Sequence, residues 1–228
     1  MKHKKNGFTL IEMVVTAALL GVAMASTAPV ISRNRWQGDV NRYALELESG
    51  LMSLKAKLGQ QKTSCSITFP ETYSFRRPEQ LVEFSGTNNS NPTSMQCCNS
   101  EISKLNNDPN CDAGYSGHKI SDLTGRAQDN LRLVQHELTQ ASKAIRVAVN
   151  RDAFGFTPPG TTANSDQITF LICHERALSA NNQSTCVPEQ QKLHIACVEI
   201  DGTGGVTKGT WELANTTDVI SNGSCKKV

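Results

Sequence analysis

The hydrophobic pattern of this chain changes character along its length. Residues 8–31 (FTLIEMVVTAALLGVAMASTAPVI) are apolar on all sides, a run long enough to cross hydrocarbon at ~1.5 Å of helical rise per residue. Beyond Pro29 the pattern turns amphipathic. Trp36, Val40, Tyr43, Leu47, Leu51, Leu54 and Leu58 recur at steps of three and four, which places them on one helical face. Arg35, Asp39, Arg42, Glu46, Glu48, Lys55 and Lys57 fall between them. The spacing predicts one helix from residue 8 to about residue 60, roughly 80 Å long. Its first half suits a membrane or the core of a helical assembly, and its second half suits docking on a globular domain. Gly21, Gly38 and Gly50 each weaken a helix by up to about 1 kcal/mol. With Pro29 they mark places to bend, and two helices broken near Gly38 fit the pattern equally well.

After the helix the periodicity is mixed. Residues 65–75 and 80–84 alternate loosely and read as short strands. Residues 86–109 are rich in Asn, Ser and Pro, a composition that buries no core of its own. They are expected to form an exposed loop pinned by Cys97, Cys98 and Cys111, either a contact surface or a variable spacer. From 121 to 150 a second helical pattern appears, with Asp122 or Thr124 as its cap. Leu131, Val134, Leu138, Ala141, Ile145 and Val149 line one face. Pro158-Pro159-Gly160 ends it. Strands are then expected at residues 167–173, 192–200 and 206–213, the last two joined by a hairpin turn over residues 201–205. The predicted class is α+β: a long N-terminal helix packed on a globular domain that holds a second helix and a small antiparallel sheet.

Composition refines this picture. The chain has 228 residues and a formal net charge of +2, room for an anchor plus one domain of ordinary size. Without Lys2, Lys4 and Lys5 the remaining basic and acidic residues nearly balance, so no field of one sign steers nucleic acid. Eight cysteines, Cys65, Cys97, Cys98, Cys111, Cys173, Cys186, Cys197 and Cys225, favour disulfides if the domain is exported. Four bridges allow on the order of a hundred connectivities. Cys173 and Cys197 are expected on paired or stapled strands, and Cys225 to tie down the tail. The rival reading is a zinc site from Cys173-His174 and His194-x-x-Cys197, but paired short Cys spacings are missing.

Catalytic patterns are not evident. The run Gly202 to Thr210 fails the phosphate-loop spacing, because its lysine precedes the last glycine. The Asp201 turn lacks the calcium-loop ligand series. His118, His136, His174 and His194 form no triad order, HExxH or nucleophile elbow. Arg76-Arg77 and Lys226-Lys227 are short basic pairs, best read as solvated charge. No enzyme activity, cofactor or metal is predicted, and nucleic acid is not an expected partner.

The head of the chain is the most specific stretch. Lys2, His3, Lys4 and Lys5 form a basic leader, Gly7 ends it, and Phe8 opens the apolar run. Glu12 lies inside that run, where a charge in hydrocarbon costs roughly 2.5–3.5 kcal/mol on insertion scales. Such an acid implies a partner. A cut between Gly7 and Phe8 would create one, a new α-amino group four residues ahead of it. The string Gly7-Phe8-Thr9-Leu10-Ile11-Glu12 resembles the processing site of type IV prepilins and of the pseudopilins of type II secretion. The resemblance implies cleavage after Gly7 by a membrane prepilin peptidase that also methylates Phe8, subunit matching through Glu12, and a helix bend at Pro29. The run from Leu131 to Ala141 weakly resembles a helix of larger minor pilins and J-type pseudopilins.

On this reading residues 1–7 are the leader, 8–31 the membrane and fibre-core helix, 32–60 its amphipathic continuation, and 61–228 an exported domain. The expected partners are other pilin subunits, the peptidase/methyltransferase, the inner membrane and the assembly machinery. The expected location is the inner membrane as a single-pass precursor with its leader inside, then a periplasmic or extracellular filament. A minor pilin or pseudopilin is favoured; a tip adhesin, a DNA-uptake pilin or a major pilin are the alternatives. A secretory signal cleaved after Ala23-Met24-Ala25 and an uncleaved anchor are the rival readings of the same segment.

Overall fold

A computed structural model of the chain describes residues 9–61, 64–82, 93–98, 143–157, 161–162, 167–187, 192–213 and 220–227. A single helix, α1, runs over Leu10–Gln61, about 78 Å at the standard rise. It passes through Pro29 and Gly38 without interruption. Of the two readings the pattern allowed, the unbroken helix is the one observed.

Two antiparallel sheets accompany it. The first has the order β2 (Ser94–Cys98), β1 (Ser64–Thr68), β4 (Ala153–Thr157), β5 (Thr161–Thr162). The second has the order β3 (Ile145–Val149), β6 (Ile168–His174), β7 (Ala196–Ile200), β8 (Val206–Leu213), β9 (Gly223–Lys227). The fold is α+β, with more sheet than the single small one expected. α1 lies on β6, β7 and β8 of the larger sheet and also reaches β3 and β4. Val40, Tyr43, Ala44, Leu47, Leu51 and Leu54 are buried there, in one core with Ile67, Phe154, Phe156, Phe170, Ile172 and Val198. The amphipathic stripe of the sequence is therefore core packing.

The larger sheet is covered on both faces. Along β6, Ile168, Phe170 and Ile172 join the helix-side core. Leu171 and Cys173 join a second, smaller core with Phe75, Ala177, Leu193, Ile195, Cys197 and Trp211. That is why this strand reads as a nearly continuous apolar run. Two disulfides staple the smaller core. Cys173–Cys186 closes the loop that leaves β6, and Cys197–Cys225 ties β7 to the edge strand β9 across β8. Cys65 is also disulfide-bonded. Cys173 and Cys197 thus sit on neighbouring strands, as expected, but each is bridged elsewhere and neither is available to zinc. Gly223 lies directly against the Trp211 indole, which also donates from Nε1 to the Ile220 carbonyl at 3.1 Å. A side chain at residue 223 would drive that ring out.

Other expectations are corrected. The helical pattern over 121–150 does not hold at its end: Ile145–Val149 is strand β3, paired with β6 over Ile145↔His174 to Val149↔Phe170. The rest of that pattern, residues 121–142, lies outside the described residues. The strand expected at 80–84 is instead a 3-10 turn over Pro78–Gln80, whose first residue, a proline, suits a helical start. Leu81 and Val82 follow it as buried turn residues, and 83–84 lie outside the described residues. Of 65–75, only the first part is strand. Within 86–109, Ser94–Cys98 is strand β2 rather than loop, and the flanks lie outside the described residues. The hairpin at 201–205 is present, with the Gly204 amide donating to the Asp201 carbonyl at 2.8 Å and the Asp201 amide to the Gly205 carbonyl at 3.0 Å.

Leu51 is fully buried between helix and sheet. Leu51→Ala is expected to lower the stability of the folded domain by about 2–5 kcal/mol, through lost burial and the cavity left behind. Denaturant unfolding of the full chain, followed by tryptophan fluorescence, measures this; a loss under about 0.5 kcal/mol would mean that the helix is not docked as described.

Candidate assembly segment at the head of the helix

α1 begins with a hydrogen-bonded cap. Thr9 stands just before the first helical residue. Its N–H donates to Glu12 Oε2 at 3.0 Å, its hydroxyl donates to the same oxygen at 3.0 Å, and the Glu12 N–H donates to Thr9 Oγ1 at 3.3 Å. This is a capping box, in which residues three apart satisfy each other's unpaired N–H groups. Its sequence signature is Thr-x-x-Glu at residues 9–12. Glu12 therefore has a structural task beside the one the resemblance implies. Gly7 and Phe8 lie outside the described residues.

From Thr9 to Ile31 every residue whose burial is described is exposed. Leu10, Ile11, Val22, Met24 and Leu19 all stand more than half open. An 18-residue window in this helix has a mean hydropathy of 2.0 with none of it buried, so the helix is long and apolar enough to cross a membrane. Three of its hydroxyls turn inward. Thr16 donates to the Glu12 carbonyl at 2.8 Å, Thr27 to the Ala23 carbonyl at 3.1 Å and Ser32 to the Ala28 carbonyl at 3.1 Å. Each hydroxyl proton is thereby satisfied within the helix, as an apolar surrounding requires. Pro29 provides no N–H, so the carbonyl of Ala25 lacks its usual helical donor, a site where a bend is cheap.

The domain takes hold of the helix near Trp36. Its indole lies against the His174 ring at 5.7 Å between centroids, and the Arg176 guanidinium sits 5.9 Å over it. Beside it the Gln37 amide brackets one peptide: Gln37 Oε1 accepts from the His194 N–H at 2.8 Å, and Gln37 Nε2 donates to the His194 carbonyl at 3.3 Å. His174 is buried, and its Nδ1 accepts from the Arg176 N–H at 3.1 Å. Burial pushes its pKa below the ordinary histidine value, helped by Arg176 and Arg146 and opposed by Glu175 and Asp39. No sequence signal marked this junction.

The other candidates bring no chemistry together. Among the described residues no group of three or more His, Cys, Asp or Glu could hold a metal. Asp201 Oδ1 accepts from the Thr203 hydroxyl, the Thr203 N–H and the Gly205 N–H. These bonds, the Thr203 hydroxyl first, hold its carboxyl below the usual range, and they account for the turn without a cation. Lys55 reaches that turn, donating to the Gly204 carbonyl at 2.7 Å. Arg76 pairs with Glu71 at 2.8 Å, Arg77 with Glu79 at 3.6 Å, and Lys226 with Glu212. The basic pairs of the sequence are thus partly neutralised. His118 and His136 lie outside the described residues. An open depression of about 460 Å³ lies beside Arg146, Glu175, Arg176, Ser179 and Gln183. The Arg146 guanidinium in it is already engaged by Glu175 and by the Lys143 and Ile145 carbonyls.

Residues 2–28 match the family model of the prokaryotic N-terminal methylation motif. No curated protein matches the chain. Among solved structures, the type IV minor pilin FimU of Pseudomonas aeruginosa aligns at 12% identity with a TM-score of 0.33, over 82% of this chain and 94% of that one. The matched residues take in the basic leader, Gly7, Phe8, Glu12 and most of the apolar run at the head of α1.

The buried histidine sets a pH dependence. A folded pKa below the unfolded one means that the unfolded state binds the proton more readily. Stability is then full above about pH 6.5 and falls as pH drops through the folded pKa. His174→Gln is expected to flatten the loss of stability between pH 7.5 and pH 5, measured as the difference in denaturation midpoint. An unchanged slope would place the acid sensitivity elsewhere.

Proposed function

We propose that the chain is a structural subunit, a minor pilin or pseudopilin, of a type IV pilus or type II secretion-like filament. The observation that carries this reading is the uncovered apolar surface of residues 10–31, headed by one carboxylate and overlapping the methylation motif matched over residues 2–28. Such a surface is stable in lipid or against like helices, and nowhere else. The precursor sits in the inner membrane with Lys2, Lys4 and Lys5 inside. A prepilin peptidase cuts between Gly7 and Phe8, and Phe8 is methylated. The helix then passes from lipid into a bundle of sister helices, and Glu12 sets the axial register by meeting the amino end of a neighbour. The domain, 61–228, decorates the fibre.

Minor rather than major status is favoured by the eight cysteines and the large domain. The pairing of Arg76, Arg77 and Lys226 with acids favours a structural role over DNA uptake. The bonds of Thr9 to Glu12 suit the precursor. They compensate the carboxylate locally while no amine is at hand, although a cap alone supplies only about 1 kcal/mol.

Two measurements test this. Replacing Gly7 with a bulky residue is expected to leave full-length precursor in the membrane, read by the mass of the chain; normal processing would refute cleavage at this site. Glu12→Val is expected to be processed normally yet to be lost from sheared filaments by an order of magnitude or more, since removing one member of a buried pair costs roughly 3–5 kcal/mol. Equal incorporation of Glu12→Val and unaltered chains would refute the register role.

A further inference from the structure

The junction at Trp36 lies at a telling height. Trp36 is five residues past Ile31, the end of the apolar run, or ~7–8 Å further along the helix. The headgroup layer of one leaflet is roughly 5–7 Å deep. Ahead of Ser32 the domain covers no described helix residue, so the ring formed by Trp36, His174 and the Gln37–His194 bracket is the domain's lower rim. That rim is basic. Arg33 and Arg35 flank Trp36 on the helix, and Arg35 is exposed. Arg176, exposed, covers the indole, and Lys192, exposed, stands two residues from His194. Of the nearby acids, Glu175 is paired with Arg146 at 3.1 Å, and Asp39 lies one turn higher on the helix. A tryptophan under one guanidinium, with two more arginines within a turn of it on the helix, fits an anionic interface at headgroup level. The aromatic ring sits at the boundary between apolar and wet, and each basic side chain near an anionic surface contributes about 1 kcal/mol of attraction.

We infer that the rim made by Arg33, Arg35, Trp36, Arg176 and Lys192 binds the headgroups of anionic phospholipids in the leaflet from which the domain projects. This rests on the membrane reading of residues 8–31 above. It adds a lipid contact that holds the domain against the bilayer before assembly and is released when the subunit leaves for the fibre.

The test uses the full-length chain in lipid nanodiscs of phosphatidylcholine with about a third phosphatidylglycerol. One or the other lipid is brominated near the glycerol end of its acyl chains. The Trp36→Phe chain, measured in parallel, isolates the Trp36 signal from that of Trp211. Brominated phosphatidylglycerol is expected to quench Trp36 at least about twofold more than brominated phosphatidylcholine at equal mole fraction, a preference that weakens as salt rises. In Arg33→Gln/Arg35→Gln/Arg176→Gln the ratio is expected to fall to about one. Equal quenching by the two lipids in the unaltered chain would overturn the inference. A polarity-sensitive dye on Met13→Cys reports insertion separately. Dye in an apolar medium with Trp36 unquenched would defeat the rim contact alone, whereas dye in water would defeat the membrane reading and this inference with it.

Discussion

The whole structure depends on one helix having to live in two media. Its upper half is amphipathic, and the apolar stripe from Val40 to Leu54 disappears into the core of the domain. Its lower half is apolar all round, and no described part of the chain covers it. Water is a poor solvent for that half, and on the proposed function lipid surrounds it first and like helices afterwards. Between the two halves the medium must change within a few residues. The Trp36–His174–Arg176 stack and the Gln37–His194 bracket stand at that point. They fix the domain's height on the helix, and with it how far the apolar segment protrudes.

The domain meets the helix with a sheet that has its own second core. A sheet face packed on a helix would be sufficient in a larger protein. Here the other face carries only a modest cluster around Leu171, Ile195 and Trp211, and two disulfides cross it. Staples of this kind contribute about 2–4 kcal/mol each where the loop they close is moderate. The Cys197–Cys225 bridge also holds the edge strand β9, which carries Lys226 and Lys227. Charges of that kind discourage edge-to-edge pairing. The edge opposite, β3, is met by the Arg76 backbone, which exchanges N–H and C=O bonds with Val147 at 2.9 and 2.8 Å.

What the sequence made legible follows from how local each signal is. The helix over Leu10–Gln61, strand β8 and the hairpin at 201–205 were readable because periodicity, glycine and aspartate act over a few residues. Strand β3 was not. Ile145 and Val149 continue the three-and-four spacing of Leu138 and Ala141, so the helical period absorbed them. Only the partners decide: pairing with β6 and burial of Ile145, Val147 and Val149 in the main core. Tertiary context of that sort overrides local preference. The residues after Pro78 failed for the opposite reason, since the proline's bias toward a helical start outweighed a short apolar run. At the head of the helix Glu12 is conspicuous in the sequence as an acid in an apolar run, while its bond to Thr9 depends on the local geometry of the helix start. The junction at Trp36 was beyond reach, because His174 and His194 come to the helix from more than a hundred residues away.

The proposed function gives Glu12 a second task, meeting an amine on another subunit, beside capping its own helix. The geometry reconciles them. The N–H and the hydroxyl of Thr9 both converge on Oε2, so a further donor would meet Oε1. The proposed cleavage after Gly7 would turn the amide of Phe8 into an amine but leave the Thr9 N–H untouched, so the cap would survive processing. A carboxylate has lone pairs for both. The cap then does more than tidy the helix end. It fixes the side chain's direction before any partner arrives, which lowers the rotamer entropy lost when the pair forms. An acid already aligned by its own helix would present the same oxygen at the same height in every subunit, and that constancy is what the proposed axial register requires.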